Sequence, residues 1–205
     1  MLGLPPSTEI NKQLPKKTIF NKFMPDSADR KLFDDQISRL TIAAEISPQT
    51  VNVKPNTDVS AIFIILVTLK TLECDKKNIA LLSKLIDQRM LFVLKSGEGA
   101  RLAVFRAGKV LISENVPLAD LKIPLIGLNL EDVWVNIIAR VGCFDLTEDQ
   151  DIDEIIIAHE RKEKLNKQIS LLEKKAKKER QPRRKWDIAN EIKKLKTELE
   201  EISNG

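Results

Sequence analysis

Val59-Ser60-Ala61-Ile62-Phe63-Ile64-Ile65-Leu66-Val67-Thr68-Leu69-Lys70 decides the fold. Read as a strand, it puts Val59, Ala61, Phe63, Ile65, Val67 and Leu69 on one face and Ile62, Ile64 and Leu66 on the other. Strand side chains alternate between faces, so a strand apolar on both must be covered above and below. The stretch is therefore a central strand. Toward the C-terminus, Asp75–Asp87 reads as a helix carrying Ile79, Leu82, Leu85 and Ile86. Met90–Lys95 and Arg101–Arg106 read as strands joined by the hairpin turn Ser96-Gly97-Glu98-Gly99, and Lys109–Ile112 as a further strand after Ala107-Gly108. The strand–helix–strand passage from Val59 to Lys95 predicts a right-handed crossover between parallel strands.

Toward the N-terminus, Lys54–Asp58 is a turn cluster and Thr50–Val53 a short strand. Residues 27–45 carry Leu32, Phe33, Ile37, Leu40 and Ala44 at helical spacing behind the cap candidates Asp26 and Ser27, which predicts a helix ended by Ser47-Pro48. Residues 1–25 are punctuated by Pro5, Pro6, Pro15 and Pro25 and read as an extended arm anchored by Leu14, Ile19, Phe20 and Phe23. Residues 113–127 read as a loop. Asn129 then caps a helix from Leu130 to about Val141 with the stripe Leu130, Val133, Trp134, Ile137 and Val141, and Gly142 stops it.

The character changes at Asp151. Ile155, Ala158, Lys162, Leu165, Ile169, Leu172 and Ala176 follow steps of three and four, as do Ile188, Ile192, Leu195, Leu199 and Ile202 after Pro182. Two such seams with a short break predict an antiparallel hairpin of coiled-coil helices. The expected fold is α+β: residues 1–150 form a mixed sheet of about five strands with flanking helices, and residues 151–205 a protruding helical hairpin.

Composition narrows the function. Of 205 residues, one is His, two are Cys and seven are Gly. That excludes a His-rich metal site, a four-Cys zinc site and a disulfide framework. Gly97-Glu98-Gly99 lacks the Lys-Ser/Thr of a P-loop and the third Gly of a dinucleotide fingerprint. The N-terminus shows no basic-then-apolar signal pattern, and no apolar run approaches the roughly 20 residues of a membrane span. With two unpatterned Cys, the expected compartment is the cytoplasm, away from membranes. Net charge is +4, and residues 151–205 hold 15 basic against 12 acidic residues.

Weighed for chemistry, His159 sits on a helical surface without the pocket a catalytic His needs. Cys74 lies between a strand and a helix with no base in reach and reads as a buried thiol. Asp58 precedes the central strand as the first acid of a restriction-nuclease core would, but Thr68 stands where the second carboxylate belongs. Asp145, Glu148, Asp149, Asp151, Asp153 and Glu154 lack calcium-loop spacing and read as a linker favouring the next helix's N-terminus. No cofactor is implied. The remaining signal is Lys174, Lys175, Lys177, Lys178, Arg180, Arg183, Arg184 and Lys185, eight cations in twelve residues opposed by Glu179, with Trp186 adjoining. Such a cluster neutralises phosphates, and a neighbouring Trp can stack on a base. It equally suits an acidic protein surface or an ordinary solvated helix end.

Leu4-Pro5-Pro6-Ser7-Thr8-Glu9-Ile10-Asn11-Lys12, Leu14-Pro15-Lys16-Lys17, Ile46-Ser47-Pro48-Gln49-Thr50-Val51-Asn52-Val53 and the terminal pair of seams with its basic Pro turn are together similar to a prokaryotic family known only as a domain of unknown function. The chain departs from it at Thr41-Ile42, where a Trp is expected. The resemblance implies neighbours of the SNF2-type helicase and DNA methyltransferase kind, in restriction-like antiviral islands, and carries over no catalytic residue. The expectation is a non-catalytic accessory subunit of a DNA-acting defence complex, touching DNA or a larger partner such as a helicase or methyltransferase through the basic tip. The alternatives are a divergent metal-dependent nuclease and a pure coiled-coil assembly factor.

Overall fold

The stretch from Val59 supplies β3 (Ile62–Leu69), which lies between β2 (Ile37–Ile46), antiparallel to it, and β4 (Arg89–Ser96), parallel to it. The computed structural model describes residues 2–54, 59–146 and 151–204, with side chains through Ile202. Among these, seven strands form one sheet rather than about five. Its order is β1 (Glu9–Gln13), β2, β3, β4, β5 (Gly99–Arg106), β6 (Lys109–Ile112), and β7 (Val116–Pro117) lies beside the start of β5. The crossover β3–α3–β4 is as expected, with α3 spanning Lys76–Leu82 only. Residues Ile65, Val67, Phe92 and Leu94 pack with Ile19, Phe33, Ile79 and Leu82 in one apolar cluster. Ile62, Ile64, Leu91 and Val93 are fully buried as well, so β3 and β4 are covered on both faces.

Several expectations need correction. The helix over 27–45 ends at Gln36 as α2 (Ser27–Gln36), capped by Asp26, whose side chain accepts from the Asp29 backbone N–H at 2.7 Å. Ile37–Ile46 is the strand β2. Its buried residues Ile37, Leu40, Ala43, Ala44 and Ile46 do not alternate because the register shifts between Ile37 and Arg39 and again between Ile42 and Ala44. Each bulge inserts a residue and turns a spacing of two into three, so two bulges in one strand imitate a helical stripe. The arm of residues 1–25 is not extended throughout. It contains a 3-10 turn at Pro6–Thr8, the edge strand β1 and the helix α1 (Lys16–Phe23). Ser7 Oγ donates to the Thr50 carbonyl at 2.6 Å, and β1 pairs antiparallel with β2 across a bulge between Glu9 and Lys12, where Asn11 takes φ +52.

Elsewhere the local chemistry is direct. Gly97 at φ +59 opens the tight β4–β5 turn, whose flanks Ser96 and Gly99 are paired; this left-handed conformation costs glycine nothing. Thr50–Val53 is a bend, not a strand, and the turn at 55–58 lies outside the described residues. The Gln36 side-chain oxygen accepts from the Asp75 N–H at 2.8 Å and from buried Asn78 at 2.9 Å, tying the end of α2 to the start of α3. Asn129 caps α4 (Leu130–Gly142) by accepting from the Asp132 N–H. Gly142 is the last helical residue rather than the stop. Cys143 takes the left-handed cap at φ +54, and a Cβ on Gly142 would collide with the Phe144 ring.

The chain divides into two units, Met1–Glu148 and Asp149–Gly205. The second consists of two helices, α5 (Ile152–Lys178) and α6 (Pro182–Asn204). Asp151 caps α5 by accepting from the Asp153 N–H at 2.8 Å, and Pro182 opens α6 where its missing N–H is not needed. Leu165, Ile169 and Ile188 are buried, and the other seam positions, from Ile155 to Ala176 and from Ile192 to Ile202, are partly covered. Arg161 pairs with Glu198 at 2.6 Å and Lys196 with Glu173 at 3.0 Å, joining α5 to α6. Among the described residues no helix is long and apolar enough to cross a membrane.

Candidate functional site

The basic run falls where α5 ends and α6 begins. Lys174, Lys175, Lys177 and Lys178 lie in the last turns of α5, Arg180 in the connection, and Arg183, Arg184 and Lys185 in the first turn of α6. All eight are exposed. Against them stands Glu179, which leaves a formal +7 over residues 174–185. Glu179 is itself tied down. Its carboxylate accepts from the Gln181 N–H at 2.9 Å. That bond, with a further one from the Arg180 N–H and the charges of Arg184 and Lys175, holds its carboxyl below the usual range. Among the described residues no ion pair consumes any of the eight cations.

The two halves differ in helix electrostatics. Cations in the last turn of α5 meet the negative end of the helix dipole and help cap its free carbonyls. The first turn of α6 contains no acidic residue, and its three cations meet the positive end. There a cation is disfavoured by roughly 0.3–1 kcal/mol. Folding therefore accounts for the lysines of α5 but not for Arg183, Arg184 and Lys185. An external anion at this junction would meet side-chain cations and the positive helix end together. Trp186 is 67% exposed, so its ring face is open to a stacking partner.

The other sequence candidates are not brought together. Cys74 is buried beside the N-terminus of α3, and its thiol is pushed up to about 11, chiefly by burial, against a lowering hydrogen bond with Asn78 and with a smaller raise from Asp75. Such a thiol stays protonated at neutral pH and is a poor nucleophile. His159 is exposed on α5. Asp58 lies outside the described residues, as do Glu148 and Asp149 of the acidic run, while Asp151 of that run serves as a helix cap. Among the described residues no group of three or more His, Cys, Asp or Glu could hold a metal ion. Gly97-Glu98-Gly99 is the β4–β5 turn and start of β5.

The model of a family described as a domain of unknown function, DUF4391, matches residues 2–199. No curated protein and no solved structure matches the chain.

Proposed function

The chain belongs to the DUF4391 family, and from that premise we propose that it is a non-catalytic accessory subunit of a DNA-acting complex, of the restriction, helicase or methyltransferase kind used in antiviral defence in the cytoplasm. In this reading α5 and α6 form an antiparallel coiled-coil hairpin, supported by the Arg161–Glu198 and Glu173–Lys196 pairs. The basic junction contacts the phosphate backbone of DNA. The observation that carries this is Arg183-Arg184-Lys185 in the first turn of α6, charge placed where the helix itself is disfavoured by it.

Backbone contacts position a protein without reading sequence, and their affinity falls with salt through counterion release. Changing Arg180, Arg183, Arg184 and Lys185 together to Ser should flatten the logarithmic salt slope on duplex DNA by roughly 3 to 4 units, at about 0.9 per lost contact. Trp186→Ala should weaken single strands more than duplex, by about 1–3 kcal/mol. Fluorescence anisotropy at several salt concentrations measures both, with circular dichroism confirming the fold. An unchanged slope in the folded quadruple variant returns the cluster to a solvated helix end. Loss of a co-purifying protein instead makes the junction a docking surface for an acidic partner. Magnesium- or manganese-dependent cleavage that disappears in Asp58→Ala would replace the accessory reading by the nuclease one.

One observation favours the assembly-factor alternative. Ile157 and Leu171 are 55% and 66% exposed on α5. They lie two heptads apart, outside the seam, where a further helix could cover them.

A further inference from the structure

Glu179-Arg180-Gln181 connects α5 to α6, and Glu179 is the one acid in residues 174–185. Just past the end of α5 a carboxylate faces the negative end of the helix dipole, which disfavours it. Its side chain turns forward instead. The Glu179 carboxylate accepts from the Gln181 N–H at 2.9 Å and from the Arg180 N–H, with the charges of Arg184 and Lys175 drawing on it as well. Backbone N–H groups ahead of a helix, with cations on both sides, are what a phosphate contact uses. Pro182 has no N–H to add, so Arg180 and Gln181 are the donors nearest the turn, and in the free chain both serve a carboxylate that the chain itself supplies.

Two roles suit such a residue, and they differ in sign. As a brace for the turn, Glu179 holds the cations in place, and its loss weakens anion binding. As an internal counter-ion it withholds donors and cancels charge, and its loss strengthens binding. The turn has other supports. The Glu179 N–H donates to the Lys175 carbonyl and the Lys185 N–H to the Gln181 carbonyl, each at 3.0 Å. Pro182 fixes its own φ, and the Arg161–Glu198 and Lys196–Glu173 pairs join the two helices further along. The carboxylate is therefore not needed to hold the turn. We propose that Glu179 is a built-in competitor for phosphate at the basic junction, occupying the Arg180 and Gln181 N–H groups in the free chain and displaced from them when a DNA backbone docks. This rests on the reading of the junction as a DNA contact, and it makes that contact weaker and more readily reversed than the eight cations alone would.

Three variants of the full chain separate charge from occupancy. Glu179→Gln removes the charge but keeps an acceptor oxygen for the two N–H groups. Glu179→Ala removes both. Asp187→Asn removes the next acid along, which is exposed on α6. On a labelled duplex at fixed salt, read by fluorescence anisotropy, Glu179→Gln should bind up to about fivefold tighter, the scale of one unit charge at close range in water. Glu179→Ala should bind roughly threefold tighter again, because charge-assisted bonds from the freed N–H groups become available to phosphate. Asp187→Asn should gain about twofold or less. Circular dichroism checks that each variant folds. If the unaltered chain does not bind duplex, this proposal falls together with the reading beneath it. If the unaltered chain binds with the expected salt dependence, the proposal alone is overturned by weaker binding in folded Glu179→Ala, which makes Glu179 a turn brace. A gain in Glu179→Ala no larger than that of Glu179→Gln or Asp187→Asn also overturns it, since the effect is then general charge.

Discussion

The sheet unit and the two-helix unit hold together by different means. In the sheet unit, Ile62, Ile64, Val67, Leu91, Phe92 and Val93 have no exposed surface at all, and both faces of β3 and β4 are covered. In the two-helix unit burial is sparse, at Ile152, Ile156, Leu165, Ile169 and Ile188, and the ion pairs between the helices leave their side chains substantially open to water. The first unit rests on apolar area and close packing, which tolerate little change in volume. The second rests on a seam, helix ends and surface charge, which leave most of its residues free to vary without cost to the fold. A binding surface is most easily placed on the second kind of unit. The eight exposed cations of the basic junction lie outside the seam, where the fold leaves them free to change.

The comparison breaks most visibly at the core. Phe92→Ala should cost about 3–5 kcal/mol in chemical denaturation, because it removes a fully buried ring from a face that cannot collapse. In the seam, Leu165→Asp places an unpaired carboxylate among apolar groups and should cost about 2–3 kcal/mol, read as lost helical signal with the Trp134 emission maximum unchanged.

Cys74 sharpens the contrast through pH. Its thiol ionises near 9.0 when unfolded and only at about 11 in the fold. The raised value favours the folded chain fully below pH 9. Between pH 9 and 11 the unfolded chain loses its proton first, and that contribution is withdrawn. Stability should fall across this window by something of the order of 2 kcal/mol relative to Cys74→Ala, which lacks the titration. In the native protein near pH 8, a thiol reagent should label exposed Cys143 and spare Cys74. The smallest effect belongs to the helices' surface. A double-mutant cycle on Arg161 and Glu198 should give less than about 1 kcal/mol and vanish in high salt.

What was legible in the sequence depended on whether one periodicity ran unbroken. The seam from Ile155 to Ala176 is regular, and the residues between its positions are mostly exposed in α5. The run from Ile62 to Leu69 is apolar on both faces, which admits only a central strand. The β4–β5 hairpin was legible because Gly97 answers a conformational demand that few other residues meet. Ile37–Ile46 was misread because its bulges convert period two into threes, and only pairing with β1 and β3 distinguishes the two readings. β1 was hidden for a different reason: all five of its residues are exposed, so no burial pattern marks it. The basic junction could be found as a run of eight charges.

The form of β1 decides what the sheet can recruit. A sheet's outermost strand offers unpaired N–H and C=O groups to any passing strand, and long flat apolar edges propagate into fibrils. Here the outermost strand is five residues long and interrupted by the bulge at Glu9–Lys12. Asn11 turns the backbone out of line at φ +52, and Lys12 adds charge. At the other margin β6 and β7 share β5 as two short pieces of four and two residues. Neither border presents a straight ladder for a second copy of the chain to extend. Two copies of the chain brought close together therefore find no straight edge along which their sheets could join.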